Sequence, residues 1–341
     1  MTESSAGALN QPLRCQPLLK PKVWGGRGLE VVLGKLLPPG EPVGESWEVA
    51  DVPEGVSSIA DGPLAGASLR EVMVRFGTAL FPGWAIEQFP LLVKFIDAQD
   101  DISIQVHPDA EVCRRLFPTE RSKNETWLVL HTEPGAAVLH GVRPGVSFEE
   151  IRERVAEGTV MDVMRRTPVQ PGDAIHLPAG TLHAMLRGVM LLEVQEPSDS
   201  TFRVFDHDRP GLDGRPRPLH IEQALESLRL DSSAPARLQP EVRPHRWGER
   251  ELLIDIAPYR VERLTLRRAM CWRRQARAAV VVVVVEGTIA AQAGASTMVL
   301  SRGETAIVPP SVGRMQIEPA GSSQLVIVTP CPPAHSRWAR A

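Results

Sequence analysis

Residues 172–185 read GDAIHLPAGTLHAM and contain a strand pattern, a turn and a histidine. Asp173–Leu177 follows a short strand pattern, and a Pro/Gly turn separates it from His183. A similar stretch, GETAIVP, begins at Gly303 and repeats the glycine, the acidic residue, the apolar strand and the proline. The offset of 131 residues exceeds a solenoid period and predicts two copies of one β domain. The second copy has no histidine after its turn, so if the fold carries a metal, we expect only the first copy to hold it.

The composition is that of a globular, turn-rich and mainly β protein. The 341 residues are 43% hydrophobic and 23% charged, which argues against intrinsic disorder. The chain has 31 Pro and 27 Gly but few long helical runs, so most of its regular structure should be strand. A formal net charge of −3 lacks the basic excess of a nucleic-acid-binding protein, and no nucleic-acid partner is expected.

Targeting signals and cysteine usage together predict a cytoplasmic protein. The N-terminal residues contain no secretory signal. The longest apolar run, Ala278–Val285, is shorter than the roughly 20 residues of a membrane-spanning helix, so no membrane partner is expected. Its six consecutive valines instead predict a buried strand. The four widely spaced cysteines, which form no C-x-x-C pair, indicate neither a disulfide framework nor a thiolate zinc site.

The chain is predicted to form two domains joined by a linker. Residues 1–231 would be the first domain, with N-terminal strands and a helical insertion near 147–166. Residues 232–244 are rich in Ser, Pro and charged side chains and would be the linker. Residues 245–341 contain short strands at near-regular spacing, which predict a second, metal-free sandwich or barrel.

Three short helices are expected among the strands. Ser68-Leu-Arg-Glu71 is a capping box before apolar residues at helical spacing, and Gly77 should end that helix. Ser147-Phe-Glu-Glu150 repeats the capping pattern at the start of the insertion. A third amphipathic helix is predicted within Pro216–Leu230.

A candidate metal site is spread over three motifs. In ISIQVHPD, Gln105 and His107 are two residues apart, so on a strand both side chains would point to one face. Glu125 of KNETW and His183 after the PAGTL turn complete a set of two imidazoles, a carboxylate and a further oxygen donor. This set suits catalytic zinc, manganese or non-haem iron(II). Spacing alone leaves another interpretation open, because such residues also occur as a surface histidine, a capping glutamate and a packed turn histidine.

Several motifs in a fixed order give the chain a resemblance to a known enzyme family. Gly172-x5-Pro178-x-Gly180-x2-His183 matches the second motif of the cupin superfamily, although Arg187 stands where many cupins have Asn. Over roughly residues 14–230 the chain more closely resembles the type I phosphomannose isomerase family, particularly its shorter bacterial branch. The motifs are VWGG, GESWEVAD, PLLVKFIDAQDDISIQVHPD, KNETW, GDAIHLPAGTLHAM and LLEVQEPSDSTFRVFDHDR.

The resemblance implies both a fold and a metal site. The fold would be mainly β, with two cupin-type β-barrel or jelly-roll domains and a few short helices. His107, Glu125 and His183 would bind one Zn²⁺ ion per chain in the first cupin domain. Gln105 matches a position that is also a ligand in longer family members.

The resemblance also implies a reaction, the interconversion of mannose 6-phosphate and fructose 6-phosphate through a cis-enediol. The partner would then be a small-molecule sugar phosphate. Arg203 falls on the family's active-site arginine, and because it stays charged it would stabilise the enediolate and orient the substrate rather than act as the base. Glu193 is the favoured base, and Lys123 is the alternative if the metal favours its neutral form. Lys123 could instead attract the phosphate.

Two other functions stay open from the sequence. A His/Glu/His pocket also serves metal-dependent oxygen chemistry, as in an iron dioxygenase of the cupin type. A non-catalytic sugar-binding cupin is the second alternative, because the second half of the chain shows that a copy can lack the histidine. The sequence does not decide between a monomer and a homodimer.

Overall fold

The computed structural model describes residues 7–230, 237–273 and 277–332. Within these ranges the protein is mainly β, as predicted, and its paired strands are antiparallel. The strands form four larger sheets and a two-stranded ribbon. No helix in the described ranges is long and apolar enough to cross a membrane.

Fifteen strands precede residue 206 in the described part of the chain. They are β1 (Leu13–Gln16), β2 (Leu18–Gly26), β3 (Val43–Val49), β4 (Asp51–Val52), β5 (Gly55–Val56), β6 (Ser58–Ile59), β7 (Leu92–Ala98), β8 (Ile104–Val106), β9 (Glu125–Thr132), β10 (Ala137–Val142), β11 (Met164–Pro168), β12 (Ala174–Leu177), β13 (His183–Met185), β14 (Val189–Gln195) and β15 (Phe202–Phe205).

The described residues from 237 onward contribute the remaining strands. They are β16 (Glu241–His245), β17 (Gly248–Asp255), β18 (Tyr259–Leu266), β19 (Met270–Arg273), β20 (Val280–Glu286), β21 (Thr288–Ala293), β22 (Ser296–Ser301), β23 (Thr305–Val308), β24 (Arg314–Pro319) and β25 (Ser323–Pro330).

The larger sheets are arranged as two sandwiches. The first sandwich consists of outer sheet I, with strand order β11-β10-β13-β8-β15, and inner sheet I, with order β12-β9-β14-β7-β3-β2. The second consists of inner sheet II, with order β16-β17-β18-β25-β20-β23-β1-β6, and outer sheet II, with order β19-β24-β21-β22. Each sandwich has its own apolar core, which includes Trp127 and Ile104 in the first and Val282 and Ile317 in the second.

A third core joins the two inner sheets. Phe95 and Leu192 of inner sheet I belong to the same buried cluster as Val283 and Val326 of inner sheet II. The six-valine strand explains how this is possible: alternate valines of β20 enter the second sandwich core and the core between the inner sheets. The buried strand predicted from this run is confirmed, and it is covered by apolar side chains on both faces.

The N-terminal strands connect the two predicted domains. β1 pairs with β23 and β6, so both strands of the predicted first domain extend inner sheet II. Arg14 on β1 also contacts the Glu304 carboxylate at 2.5 Å. The segments 1–231 and 245–341 therefore share a sheet and a core.

The end of the predicted linker, residues 232–244, forms a strand. Residues 231–236 lie outside the described residues, but Glu241–His245 forms β16, the edge strand of inner sheet II. The prediction is wrong there because charge and Pro244 suggested a loop. An exposed edge strand tolerates both charged side chains and a proline.

Five α-helices lie in the described ranges. They are α1 (Gly28–Leu33), α2 (Leu69–Leu80), α3 (Ala110–Leu116), α4 (Phe148–Ala156) and α5 (Ile221–Ser227), with 3-10 turns at Gly62–Leu64 and Val160–Val163. The capping box that starts α2 is confirmed, since Ser68 Oγ accepts the Glu71 N–H and Glu71 accepts the Ser68 N–H. The third predicted helix is α5.

Two helix ends differ from the predictions. Gly77 does not end α2. A glycine inside a helix costs about 1 kcal/mol relative to alanine, and burial of Leu80 on the apolar face of the helix offsets this cost. The predicted insertion at 147–166 is helical only as far as Ala156, apart from the short 3-10 turn. Gly158, with φ +71°, follows that helix, and β11 occupies the end of the segment.

The shared core generates a stability prediction. Val283→Ala removes apolar volume between the inner sheets and should cost roughly 2 kcal/mol of unfolding free energy. Urea unfolding followed by fluorescence and circular dichroism should show one shifted transition. Val299→Ala is the matched control, because Val299 is 51% exposed and its change should stay within about 0.5 kcal/mol. Two separate transitions, with only one of them shifted, would contradict the shared core.

Candidate metal centre

The turn after β12 carries the chain from inner sheet I to outer sheet I and delivers His183 to the space between them. Gly180 lies in this turn with φ +93°, and its N–H donates to the His107 carbonyl at 2.8 Å. A Cβ at this position would lie 2.4 Å from Arg229 Cγ, so the turn requires glycine by both conformation and space. The same hydrogen bond joins the segments that carry the two histidines.

Strand register places the other candidate residues around His183. On outer sheet I, His183 pairs with Gln105, and Gln105 pairs with Arg203. Directly paired residues share a face, so all three side chains lie on the same side of this sheet. His107 follows β8, and Glu125 opens β9 on the facing inner sheet I.

His107, Glu125 and His183 form one buried cluster. One potential ligand atom from each residue lies within 4.8 Å of the others. His107 Nε2 is 3.1 Å from Glu125 Oε1, and His183 Nε2 is 3.6 Å from Glu125 Oε2. The three side chains are at most 2% exposed. The structure therefore brings together three of the four residues proposed as ligands around one point.

Both histidines are held with Nε2 toward Glu125. His107 Nδ1 lies 2.8 Å from the Ser200 carbonyl, and His183 Nδ1 lies 2.9 Å from the Thr181 carbonyl. A carbonyl only accepts, so each Nδ1 carries the proton and each Nε2 keeps a lone pair. Burial lowers the pKa of His107, and burial lowers the pKa of His183 to about 3. Neutral imidazoles with fixed Nδ1–H groups are the form that binds a metal.

Glu125 supplies a buried negative charge at the same point. Burial alone would raise its pKa, but Lys123 and then His107 bring the pKa well below the usual carboxyl range. Lys123 Nζ lies 2.8 Å from Oε1. Neither Glu125 oxygen, nor His107 Nε2, has a hydrogen bond of good geometry within the described residues. Buried polar atoms without partners are costly, and a divalent cation bound by these atoms would satisfy all of them.

Gln105 lies beside the triad with its amide nitrogen inward. Gln105 Nε2 donates to His183 Nε2 at 3.4 Å, and Ser103 Oγ donates to Gln105 Oε1 at 3.4 Å. A half rotation of the terminal amide would exchange these two atoms and present the oxygen to a cation. The position of Gln105 suits a fourth ligand, but in this structure its amide nitrogen, not its oxygen, faces the triad.

A second buried carboxylate lies next to the triad. Trp127 Nε1 donates to Glu193 Oε1 at 3.0 Å, and Lys94 Nζ is 3.4 Å from Glu193 Oε2. Burial, and then the negative charge of Glu125, raises the pKa of Glu193 to about 7. Glu193 and Lys94 are each 3% exposed. The site therefore contains two carboxylates whose surroundings shift their pKa values in opposite directions.

Lys94 was not among the site residues predicted from the sequence. Burial alone would lower its pKa, but Glu193 and Glu45 raise it above the usual lysine range. The available signal was a single charge inside the otherwise apolar stretch LLVKFI, where a buried strand should have none. Lys94 balances the charge of Glu193 as Lys123 balances that of Glu125.

Arg203 lies at the edge of the site rather than against the triad. Its Nη1 donates to the Pro218 carbonyl at 3.0 Å, and Nε is buried without a hydrogen-bond partner in the described residues. Burial and the neighbouring Arg217 lower its pKa from the usual arginine value. An unpaired buried N–H on a cationic side chain is a donor for an anionic or hydroxylated ligand.

Comparison with known proteins agrees with this geometry. Residues 12–127 match the family described as phosphomannose isomerase type I, catalytic domain. The mannose-6-phosphate isomerase ManA of Bacillus subtilis is 30% identical over 311 residues, which cover 90% of this chain and 96% of ManA. The chain belongs to the type I phosphomannose isomerase family.

Solved structures of this family share the architecture. A crystal structure of the mannose 6-phosphate isomerase from Bacillus subtilis superposes with a TM-score of 0.85 at 28% identity, covering 93% of this chain and 99% of that one. A structure described as mannose 6-phosphate isomerase, holo and zinc bound, has a TM-score of 0.73 at 16% identity and covers 94% and 99% of the two chains. The second likeness shows the same fold.

Proposed function

We propose that this chain is a zinc-dependent mannose-6-phosphate isomerase that interconverts mannose 6-phosphate and fructose 6-phosphate. The observation that carries the proposal is the buried triad His107, Glu125 and His183 in a member of this family. Three of its candidate ligand atoms have no hydrogen-bond partner in the part of the chain that the structure describes. These three residues would hold one Zn²⁺ per chain, with Gln105 as a further ligand once its amide is rotated. Zinc is the metal named for a structural relative, and the donor set suits it.

A bound divalent metal would polarise the carbonyl and hydroxyl oxygens of the substrate and stabilise negative charge that develops on them. The protein supplies the proton transfer between C1 and C2. Glu193 is the proposed base, because it is a buried carboxylate beside the triad that is not itself a triad member. Its hydrogen bond from Trp127 fixes one oxygen, and Lys94 lies near the other.

Lys123 and Arg203 have electrostatic roles in this proposal. Lys123 lies against Glu125, which favours charge compensation of that carboxylate over service as the base. Arg203 Nε–H has no acceptor among the described residues at the edge of the site, and Arg203 would orient the substrate and stabilise the enediolate. Both residues lie where a polar, phosphorylated substrate is better matched than an apolar one.

The alternatives drawn from the sequence receive less support. An iron dioxygenase or a non-catalytic sugar-binding cupin would also use the triad, but neither needs a second buried carboxylate with its own lysine. We also infer a cytoplasmic location from the four free cysteines, which suit a reducing compartment.

The metal site is tested with His183→Ala. This change removes one proposed ligand, so metal analysis of the purified protein should show loss of the bound ion, together with loss of fructose 6-phosphate formation. His131→Ala is the control, since His131 is exposed and away from the triad. Retention of stoichiometric metal by His183→Ala would contradict the ligand assignment.

Glu193→Gln tests the proposed base. The amide keeps the shape of the side chain but cannot accept the proton, so kcat should fall by about 10²- to 10⁴-fold while the bound metal is retained. Glu133→Gln, on an exposed carboxylate, should leave kcat unchanged. Normal turnover in metal-loaded Glu193→Gln would rule out this role and direct attention to Lys123.

A further inference from the structure

The loop after β14, residues 196–201, carries the group that orients His107. The Ser200 carbonyl accepts the His107 Nδ1–H at 2.8 Å, which sets the direction of the imidazole and of its Nε2. Because a backbone carbonyl is the acceptor, the orientation of this ring depends on the conformation of the loop. Side chains that hold the loop in place therefore also fix the orientation of His107.

Gln195, the last residue of β14, holds the loop through its side-chain amide. Its Nε2 donates to the Ser198 carbonyl at 2.5 Å and to the Glu196 carbonyl at 3.1 Å. Two carbonyl acceptors require the NH₂ group at this end of the amide, so the assignment of nitrogen and oxygen is unambiguous. The side chain has no exposed surface, so water does not compete for these bonds.

Ser198 carries the connection from Gln195 to the ligand segments. Its Oγ donates to the Arg121 carbonyl at 3.0 Å and accepts the Ser200 N–H at 3.2 Å. The Arg121 N–H in turn donates to Ser200 Oγ at 3.1 Å. The loop is thereby bound to the segment that leads directly into Lys123 and Glu125.

Two further observations mark Gln195 as more than a structural amide. It lies directly opposite Glu125 in the register of β14 and β9, so both side chains lie on the same face of inner sheet I. Its Oε1 is buried without a hydrogen-bond partner among the described residues. An apolar side chain of similar length would leave the Ser198 and Glu196 carbonyls without this donor, so the loop requires the amide group and not only the length of the side chain.

We propose that Gln195 is a positioning residue for the metal centre: its amide fixes residues 196–201 so that the Ser200 carbonyl orients His107 as a ligand. The inference deepens the proposed function and rests on it, because it concerns the same metal. The hydrogen bonds of Gln195 go to the loop carbonyls and not to the triad side chains, so it acts through the loop.

Gln195→Met in the full-length chain is the first test. Methionine keeps the length and volume of the side chain, removes both N–H donors and removes the unsatisfied Oε1. The Zn²⁺ dissociation constant, measured by competition with a chromophoric chelator, should rise about 10- to 100-fold. The visible spectrum of the Co²⁺-loaded variant should also differ from that of the unmodified chain, because the His107 ligand is no longer held in one orientation.

Two further variants separate positioning from general stability. Val194→Ala lies on the same strand but faces the core between the inner sheets, so it should lower the unfolding temperature without changing Zn²⁺ affinity. Ser198→Ala removes the next link and should weaken Zn²⁺ binding in the same direction. The double variant should weaken it by less than the product of the two single effects, since both act through one loop.

Two results would contradict the proposal at different levels. Unchanged Zn²⁺ affinity and an unchanged Co²⁺ spectrum in folded Gln195→Met, or in Ser198→Ala if Gln195→Met does not fold, would overturn the positioning role alone. Failure of the unmodified chain to bind Zn²⁺ or Co²⁺ would overturn the metal centre and this inference together.

Discussion

The buried carboxylate of Glu125 is the interaction on which the rest of the site depends. A charge at this depth is stable only if its neighbours compensate for the lost water, and Lys123 and two neutral imidazoles surround it. Lys123 neutralises the charge, but it leaves the oxygens without well-formed hydrogen bonds in the described residues. A divalent cation bound by these atoms would complete the arrangement, and the candidate ligand atoms already lie close together without it.

The two sandwiches provide the rigidity that such a site requires. His183 and Gln105 come from outer sheet I, whereas Glu125 and Glu193 come from inner sheet I, so the site exists only if the two sheets keep their separation. Inner sheet I is in turn packed against inner sheet II through the valine strand β20. The second sandwich repeats the crossing between sheets at Pro309 and the residues after it, and its inner sheet supports inner sheet I through the shared core.

Much of the fold could be predicted because short local motifs mark the ends of its strands and helices. Gly and Pro residues bound the strands, and the Ser68 capping box starts a helix as expected. The errors arose where packing outweighed local preference. Gly77 lies inside a helix because Leu80 is buried, and residues 241–244 form a strand because β17 offers an edge to pair with.

The site was predictable only in part, for a related reason. The motifs and the resemblance pointed to the triad, and the structure brings its three side chains together. Histidine and glutamate could be picked out because their potential as metal ligands is visible in the residue type. Lys94 and Gln195 act through neighbours brought close by strand register, and a single sequence does not display register. Which of the two carboxylates would have the raised pKa also depends on distances to lysines that only the fold determines.

The most direct test is the conversion of mannose 6-phosphate to fructose 6-phosphate by metal-analysed protein, before and after chelation. A metal-dependent isomerase should show turnover that disappears with the chelator and returns when zinc is added. Well-folded, zinc-loaded protein without turnover would contradict the isomerase function while leaving the metal centre in place. Turnover that survives complete removal of the metal would contradict the role of the triad itself.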